Sequence, residues 1–350
     1  NPLAVVEDTS GNSNLLIKAT ASNKNSILLF GDGDSDEVGR IDYEHNGDEM
    51  HFYTGSTARF KLDSNSRISL GNNDSSSTVR NTIFGHQTGN VIASGALENT
   101  LFGYQAGLAL DTGDYNTALG CLALQDEELG QGAVAIGGSA LFSQNRGSQS
   151  SSNNTGVGLN TSYYNVTGVN NTAVGSSSML GVSGNSHSNN TAIGFESLKV
   201  VTTGHSNVAI GAGAGDALVN GVSNVIIGKD AEGVDTDAGN CIVIGATATG
   251  QAHNSVTLGN ADVTAVYMAQ DSGATVHARH MNLIDSADDA SGGILNLKND
   301  RANPADNDEA GRIYMYADDD GGNATEAILM IGRMTDVTNG TEDSDLRIYT

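Results

Sequence analysis

Along the central part of the chain, apolar and polar residues recur in one frame: Thr, Val or Ile, then a small or branched residue, then an apolar residue, then glycine. The closing glycines are Gly85, Gly103, Gly120, Gly137, Gly158, Gly175, Gly194, Gly211, Gly228, Gly245 and Gly259. Their spacings are 18, 17, 17, 21, 17, 19, 17, 17, 17 and 14 residues. A period near 17 marks stacked units that bury their faces on one another, and it is too short for a helical-hairpin repeat or a propeller blade. It predicts a β-roll or β-solenoid of about eleven 17-residue repeats over residues 81–260.

The residue before each glycine and the one two positions earlier share a strand face, which is expected to line the coil interior. The residue between them points the other way. It is nonetheless Ile, Leu, Ala or Val in nine of the eleven repeats, Gly156 and Thr257 being the exceptions. A strand apolar on both faces needs cover on both. Another copy of the chain is the simplest cover, and a second sheet of the same chain would also serve.

Asn opens eight of the eleven motifs, with Ala133, Cys241 and Ser255 in the others. Stacked asparagines are expected to form an amide ladder, and glycine to supply the positive φ that leaves the strand. Eleven rungs at about 4.8 Å would span roughly 50 Å. Cys121 and Cys241 then stand roughly 34 Å apart, beyond the roughly 7 Å reach of a disulfide, and read as small packing residues.

The flanks carry a different pattern. "DSDEVGRIDY" (Asp34 to Tyr43) matches "DNDEAGRIYM" (Asp306 to Met315), and "MHFYT" (Met50 to Thr54) matches "LRIYT" (Leu346 to Thr350). Strand-like runs precede both copies, at Leu15 to Ala19 and Ile294 to Asn299. Short alternating runs between Gly, Asp and Asn turns predict antiparallel hairpins, giving β-hairpin modules at 1–80 and 261–350. The second copy stops at Thr350, where the first continues, so a truncated module is expected. The chain begins at Asn1 without Met, as an excerpt or a processed product would.

Composition narrows the function classes. There are 45 Gly, 2 Pro and no Trp among 350 residues, which suits repetitive β structure with short turns. The formal charge of -25 repels phosphate backbones, so no nucleic-acid partner is expected. No apolar window of 18 residues predicts a transmembrane span, so no membrane insertion is expected. Between Arg146 and Lys229 the only charged residues are Glu196, Lys199 and Asp216.

Candidate chemistry is thin. The acidic runs Asp32 to Glu37, Asp306 to Glu309 and Asp318 to Gly322 lack the glycine and terminal glutamate of a calcium loop and read as solvated turns. His277 and His280 lie three apart, on opposite faces of a strand, although a three-fold axis could gather one histidine per chain. No phosphate loop, nucleophile elbow or CxxC is present. No catalytic, cofactor-binding or metal residues are assigned, and no enzyme activity or cofactor is expected. The two longer intervals hold Ser/Asn/Gly loops, Ser143 to Asn154 and Gly181 to Asn190, which are the expected places for partner contact.

The "NTAIG"-type ladder resembles the head repeats of trimeric autotransporter adhesins (YadA-like heads) and the same repeats in bacteriophage tail fibres. The stretches Gly39 to Gly71 and Asn303 to Thr350 are similar to shaft modules of marine tailed-phage fibres. The resemblance implies an all-β homotrimeric fibre in the virion, a structural and adhesive tail-fibre segment. Its implied partners are other virion tail or baseplate proteins and a host cell-surface receptor, glycan or protein. The alternatives are a bacterial cell-surface adhesin or extracellular filament, and a polysaccharide depolymerase spike. A monomeric solenoid of the ice-binding kind would need Thr ladders facing solvent, which the expected face assignment puts inside.

Overall fold

A computed structural model describes residues 17–19, 21, 23–35, 38–55, 57–65, 68–70, 80–93, 95–267, 276, 309–318, 324–336 and 343–349. Every regular element among them is a β-strand. The chain divides between Val266 and Tyr267 into two units.

The first unit opens with an antiparallel meander of β1 (Ser26–Phe30), β2 (Gly39–Glu44), β3 (Glu49–Thr54), β4 (Thr57–Leu62) and β5 (Ile68–Leu70), paired in chain order. Arg40 lies 3.8 Å from the centroid of the Tyr53 ring and 3.7 Å from buried Asp42, and so ties β2 to β3. Ile27 and Leu29 on one face of β1, and Leu28 and Phe30 on the other, are all exposed. The predicted strand at 15–19 has no counterpart at 17–19, and residues 15 and 16 lie outside the described residues.

The solenoid follows. Eleven three-residue parallel strands run from β6 (Thr82–Phe84) through β7 (Thr100–Phe102), β8 (Thr117–Leu119), β9 (Val134–Ile136), β10 (Thr155–Val157), β11 (Thr172–Val174), β12 (Thr191–Ile193), β13 (Val208–Ile210), β14 (Val225–Ile227) and β15 (Ile242–Ile244) to β16 (Val256–Leu258). They pair in strict chain order and in register, as in Thr155↔Thr172, Thr172↔Thr191 and Thr191↔Val208. Like residues therefore stack in columns.

The face assignment is the reverse of the sequence expectation. Burial from β7 to β15 marks the middle residue of each strand as enclosed and both neighbours as partly or fully exposed. Leu101, Ala118, Ala135, Ala173, Ala192, Ala209, Ile226 and Val243 form the interior column. The reason is the thinness of the coil. The return segment follows the glycine almost at once and places Ala106, Ala123, Ala140, Ala214 and the larger Leu124, Leu141, Met179 and Leu198 against the strand. Close packing of two legs leaves room for alanine, and the larger apolar residues before each glycine are left outside.

Each coil turns on left-handed residues at fixed places. Between Gly175 and Gly194 these are Ser177, Met179 and Asn189, at φ 56, 49 and 59°. The closing glycines, from Gly85 to Gly245, hold φ between 125 and 145°. A Cβ on Gly211 would lie 2.5 Å from the Gly228 carbonyl oxygen, so both dihedral and contact demand glycine.

Polar stitching completes the stack. The Asn171 Oδ1 accepts from the Asn190 backbone N–H at 3.0 Å, and Asn190 Oδ1 likewise from Asn207 at 3.0 Å. Each Nδ2 donates to a backbone carbonyl of its own coil, Asn190 to Gly204 at 2.9 Å and Asn207 to Gly221 at 2.7 Å. The predicted amide ladder is present, fully buried and satisfied. Cys241 replaces one Asn, its thiol lying 3.3 Å from the Ala252 carbonyl oxygen, whereas Cys121 is exposed. Cys241 is thus a stand-in for the amide, and Cys121 is not the packing residue that the sequence suggested.

The second unit holds β17 (Glu309–Asp318), β18 (Ala324–Asp336) and β19 (Asp343–Tyr349) in an antiparallel sheet. In the first module "MHFYT" (β3) pairs directly with β2, whereas "LRIYT" (β19) pairs with β18 and not with β17. The two matching motifs therefore occupy the first and the second strand, respectively, after their "GRI" strands.

Candidate functional site

Two features of the solenoid stand apart from structural necessity: its outward strand face and its two insertions. On the outward face, alternation places the Thr/Val/Ile column of Thr82 to Val256 beside the apolar column of Phe84 to Leu258. Phe84, Phe102, Leu119, Ile193, Ile210, Ile244 and Leu258 are exposed large apolar side chains. Phe84 and Phe102 stack at 5.0 Å, interplanar angle 13°. These side chains form a contiguous exposed apolar column along the strand face.

The two insertions, at 143–154 and 181–190, are separated by a 17-residue coil, yet both bond to Thr167 in that coil. The Arg146 guanidinium donates to the Thr167 carbonyl oxygen. The Thr167 backbone N–H donates to Ser186 Oγ at 3.0 Å, as does its hydroxyl at 3.0 Å. Gln149 Nε2 reaches back to the Thr112 carbonyl oxygen at 3.3 Å. Both loops that the sequence marked for partner contact therefore form one continuous protrusion, centred on Thr167.

Beneath the protrusion the core is polar. In the column that elsewhere holds Leu110, Val201 and Leu218, these coils carry fully buried Glu127, Gln144 and Asn165. Gln144 Nε2 donates to Glu127 Oε2 at 2.9 Å, and Asn154 Nδ2 donates to Gln144 Oε1 at 2.8 Å. Glu127 Oε1 also accepts from the Gly130 and Arg146 backbone N–H groups at 2.7 and 3.1 Å. Gln144 thus supplies the amide oxygen missing where Ala133 interrupts the Asn ladder. Sequence reading missed this network because Glu127 and Gln144 look like surface residues; only their place, seven after the closing glycine, shared with Leu110 and Leu218, signals the interior.

His187 belongs to the second insertion and is buried, with neither ring nitrogen in a hydrogen bond. Burial pushes its pKa down to about 4, against a smaller opposing effect of the Met179 backbone. Glu232 is pushed up to about 8, by burial first and then by the neighbouring Asp216 carboxylate. The two carboxyls face each other on successive coils.

Glu44, Glu49 and His51 bring three possible ligand atoms within 4.8 Å of one another. Lys61 Nζ lies 2.6 Å from Glu49 Oε2, while His51 bonds Glu49 and the Tyr53 hydroxyl at 3.0 Å each. The Lys61 bond, and then the His51 bond, hold the Glu49 carboxyl below its usual range. This is an ion-pair cluster. Of the acidic runs, Asp32 closes a turn by accepting from the Asp34 and Ser35 backbone N–H groups at 3.0 Å each. His277, His280 and residues 306–308 and 319–322 lie outside the described residues.

No helix among the described residues is long and apolar enough to cross a membrane. No family model matches the chain, and neither a curated protein nor a solved structure matches it.

Proposed function

We propose that this chain is a structural and adhesive segment of a homotrimeric fibre, of the kind found in phage tail fibres, that presents a host-attachment surface. The observation that carries the reading is the outward apolar column. A stripe roughly 50 Å long, apolar at every rung, is a poor surface for a lone soluble chain and a good one for three copies meeting along a common axis. The meander and the second-unit sheet favour the same conclusion. Each leaves large apolar side chains exposed, including Phe30, Phe52, Tyr314 and Ile348. The fibre's partners on this reading are other virion tail or baseplate proteins and a receptor on the host surface.

A second reading draws on the outward Thr column itself. Thr155, Thr172 and Thr191 stack in register on a parallel sheet, an arrangement suited to ordering water on a lone ice-binding solenoid. The solution mass by light scattering at moderate salt separates the two. The fibre reading expects three times 35.9 kDa and an elongated particle. A monomer that also depresses the freezing point of its solution beyond the colligative effect would replace it with the second.

A further inference from the structure

One face of the antiparallel meander is polar and short of positive charge. Alternation puts Arg40, Asp42 and Glu44 of β2 on the same face as Glu49, His51 and Tyr53 of β3. The register sets Glu44 directly opposite Glu49, and Asp42 directly opposite His51. Like charges placed opposite one another destabilise a strand pair. Lys61 pairs with Glu49 and Arg40 with Asp42, while Glu44 forms no ion pair among the described residues. Asp42 is only 3% exposed, and its Oδ1 is buried without a hydrogen-bond partner. A buried carboxylate oxygen left in this state, beside an imidazole and facing glutamates, calls for a further cation on this face.

We propose that Glu44, Glu49 and His51 form a binding site for one divalent transition-metal ion of the zinc class, at the turn end of the β2–β3 hairpin. Their three ligand atoms lie within 4.8 Å of one another. His51 Nε2 and Glu49 Oε2 are 3.0 Å apart. Two ligands that each stand about 2.1 Å from one ion, at right angles, have that same spacing. Ligands on opposite sides of such an ion are about 4.2 Å apart, so a small inward movement of the half-buried Glu44 side chain closes the set.

The surroundings suit this use. The Tyr53 hydroxyl holds His51 Nδ1 at 3.0 Å and turns Nε2 towards Glu49, as an outer partner orients a metal-binding histidine. Arg40 over the Tyr53 ring fixes that partner in turn. A nitrogen ligand beside carboxylates selects a transition ion over calcium or magnesium, which take oxygen. Lys61 is the competitor for Glu49. Its half-exposed ion pair contributes little stability, so the ammonium gives way as the metal enters. The site lies within one chain and forms whether or not chains associate.

The test is equilibrium dialysis of the full chain against zinc at pH 7, with calcium for comparison. Zinc is expected to bind more tightly than calcium, with a loss of about tenfold or more in both Glu44→Gln and His51→Gln. Lys61→Met removes the competitor and is expected to tighten zinc severalfold. Circular dichroism checks the fold of each variant, and Glu44→Gln with Lys61→Met carries the test where His51→Gln does not fold. Absence of zinc binding, calcium bound as tightly as zinc, zinc affinity indifferent to Glu44→Gln, or weaker binding in Lys61→Met would overturn the site.

Discussion

Gly211 shows how tightly single residues are specified. Its φ of 134° and the Gly228 carbonyl 2.5 Å from any Cβ act together, so Gly211→Ala is expected to destabilise the chain by more than about 3 kcal/mol in chemical denaturation. A cost under about 1 kcal/mol would show that the stack can shift apart. Asn190→Ala leaves the Asn207 N–H and the Gly204 carbonyl without their partners, an expected cost of about 3 kcal/mol by the same measurement. His187 adds a pH signature. Its folded pKa near 4 lies below the unfolded value near 6.5, so the unfolded chain takes up the proton first as pH falls. Its share of stability is complete above pH 6.5 and declines towards pH 4, by up to about 3 kcal/mol. His187→Phe should remove that share of the pH dependence, seen as a smaller difference in denaturation midpoint between pH 7 and pH 4.5. An unchanged difference would mean that His187 finds a partner when charged. At this scale the glycine and asparagine columns were legible from spacing, since each recurs at its own offset. His187 and Glu127 were not, because a single polar residue carries no periodic signal of its own burial.

At the scale of the element, the repeat predicted the number, order and stacking of the strands but reversed their faces. The misleading cue was that the residue before each glycine is apolar, and the one two positions earlier Thr, Val or Ile, in every copy. Ile193 and Ile210 are larger than Ala192 and Ala209, and in a thick sandwich the larger side chains would lie inside. In a two-legged coil the interior accepts alanine, and the return-leg leucines fill the space that remains. The insertions were legible as breaks in the period, but their meeting at Thr167 was not, because Arg146, Thr167 and Ser186 belong to three coils. The Arg146 bond should hold the first loop down without supporting the core. Arg146→Ala is therefore expected to raise proteolytic cleavage within 147–150 by roughly tenfold while the global melting temperature stays within a few degrees. Equal cleavage rates would show that the loop is held by its own turn and by Gln149 alone.

For the whole molecule, the reversed faces strengthen the case for association. The small interior column is now accounted for within one chain, and the surface that lacks cover is the larger apolar column of Phe84 to Leu258. Three such columns meeting would bury it, and the Thr column beside it would lie at the margin of the contact. The formal charge of -25 per chain opposes this assembly at low salt, and screening at moderate salt relieves the repulsion. The measurement that tests the account most directly is sedimentation equilibrium of the Ile193→Glu, Ile210→Glu double variant beside the unaltered chain at moderate salt. Both substitutions lie on the outward face, so the fold should persist, with unchanged β-type circular dichroism. The account predicts three chains for the unaltered protein and one for the variant; an unaltered protein that sediments as a single chain, or a variant that still sediments as three, would contradict it.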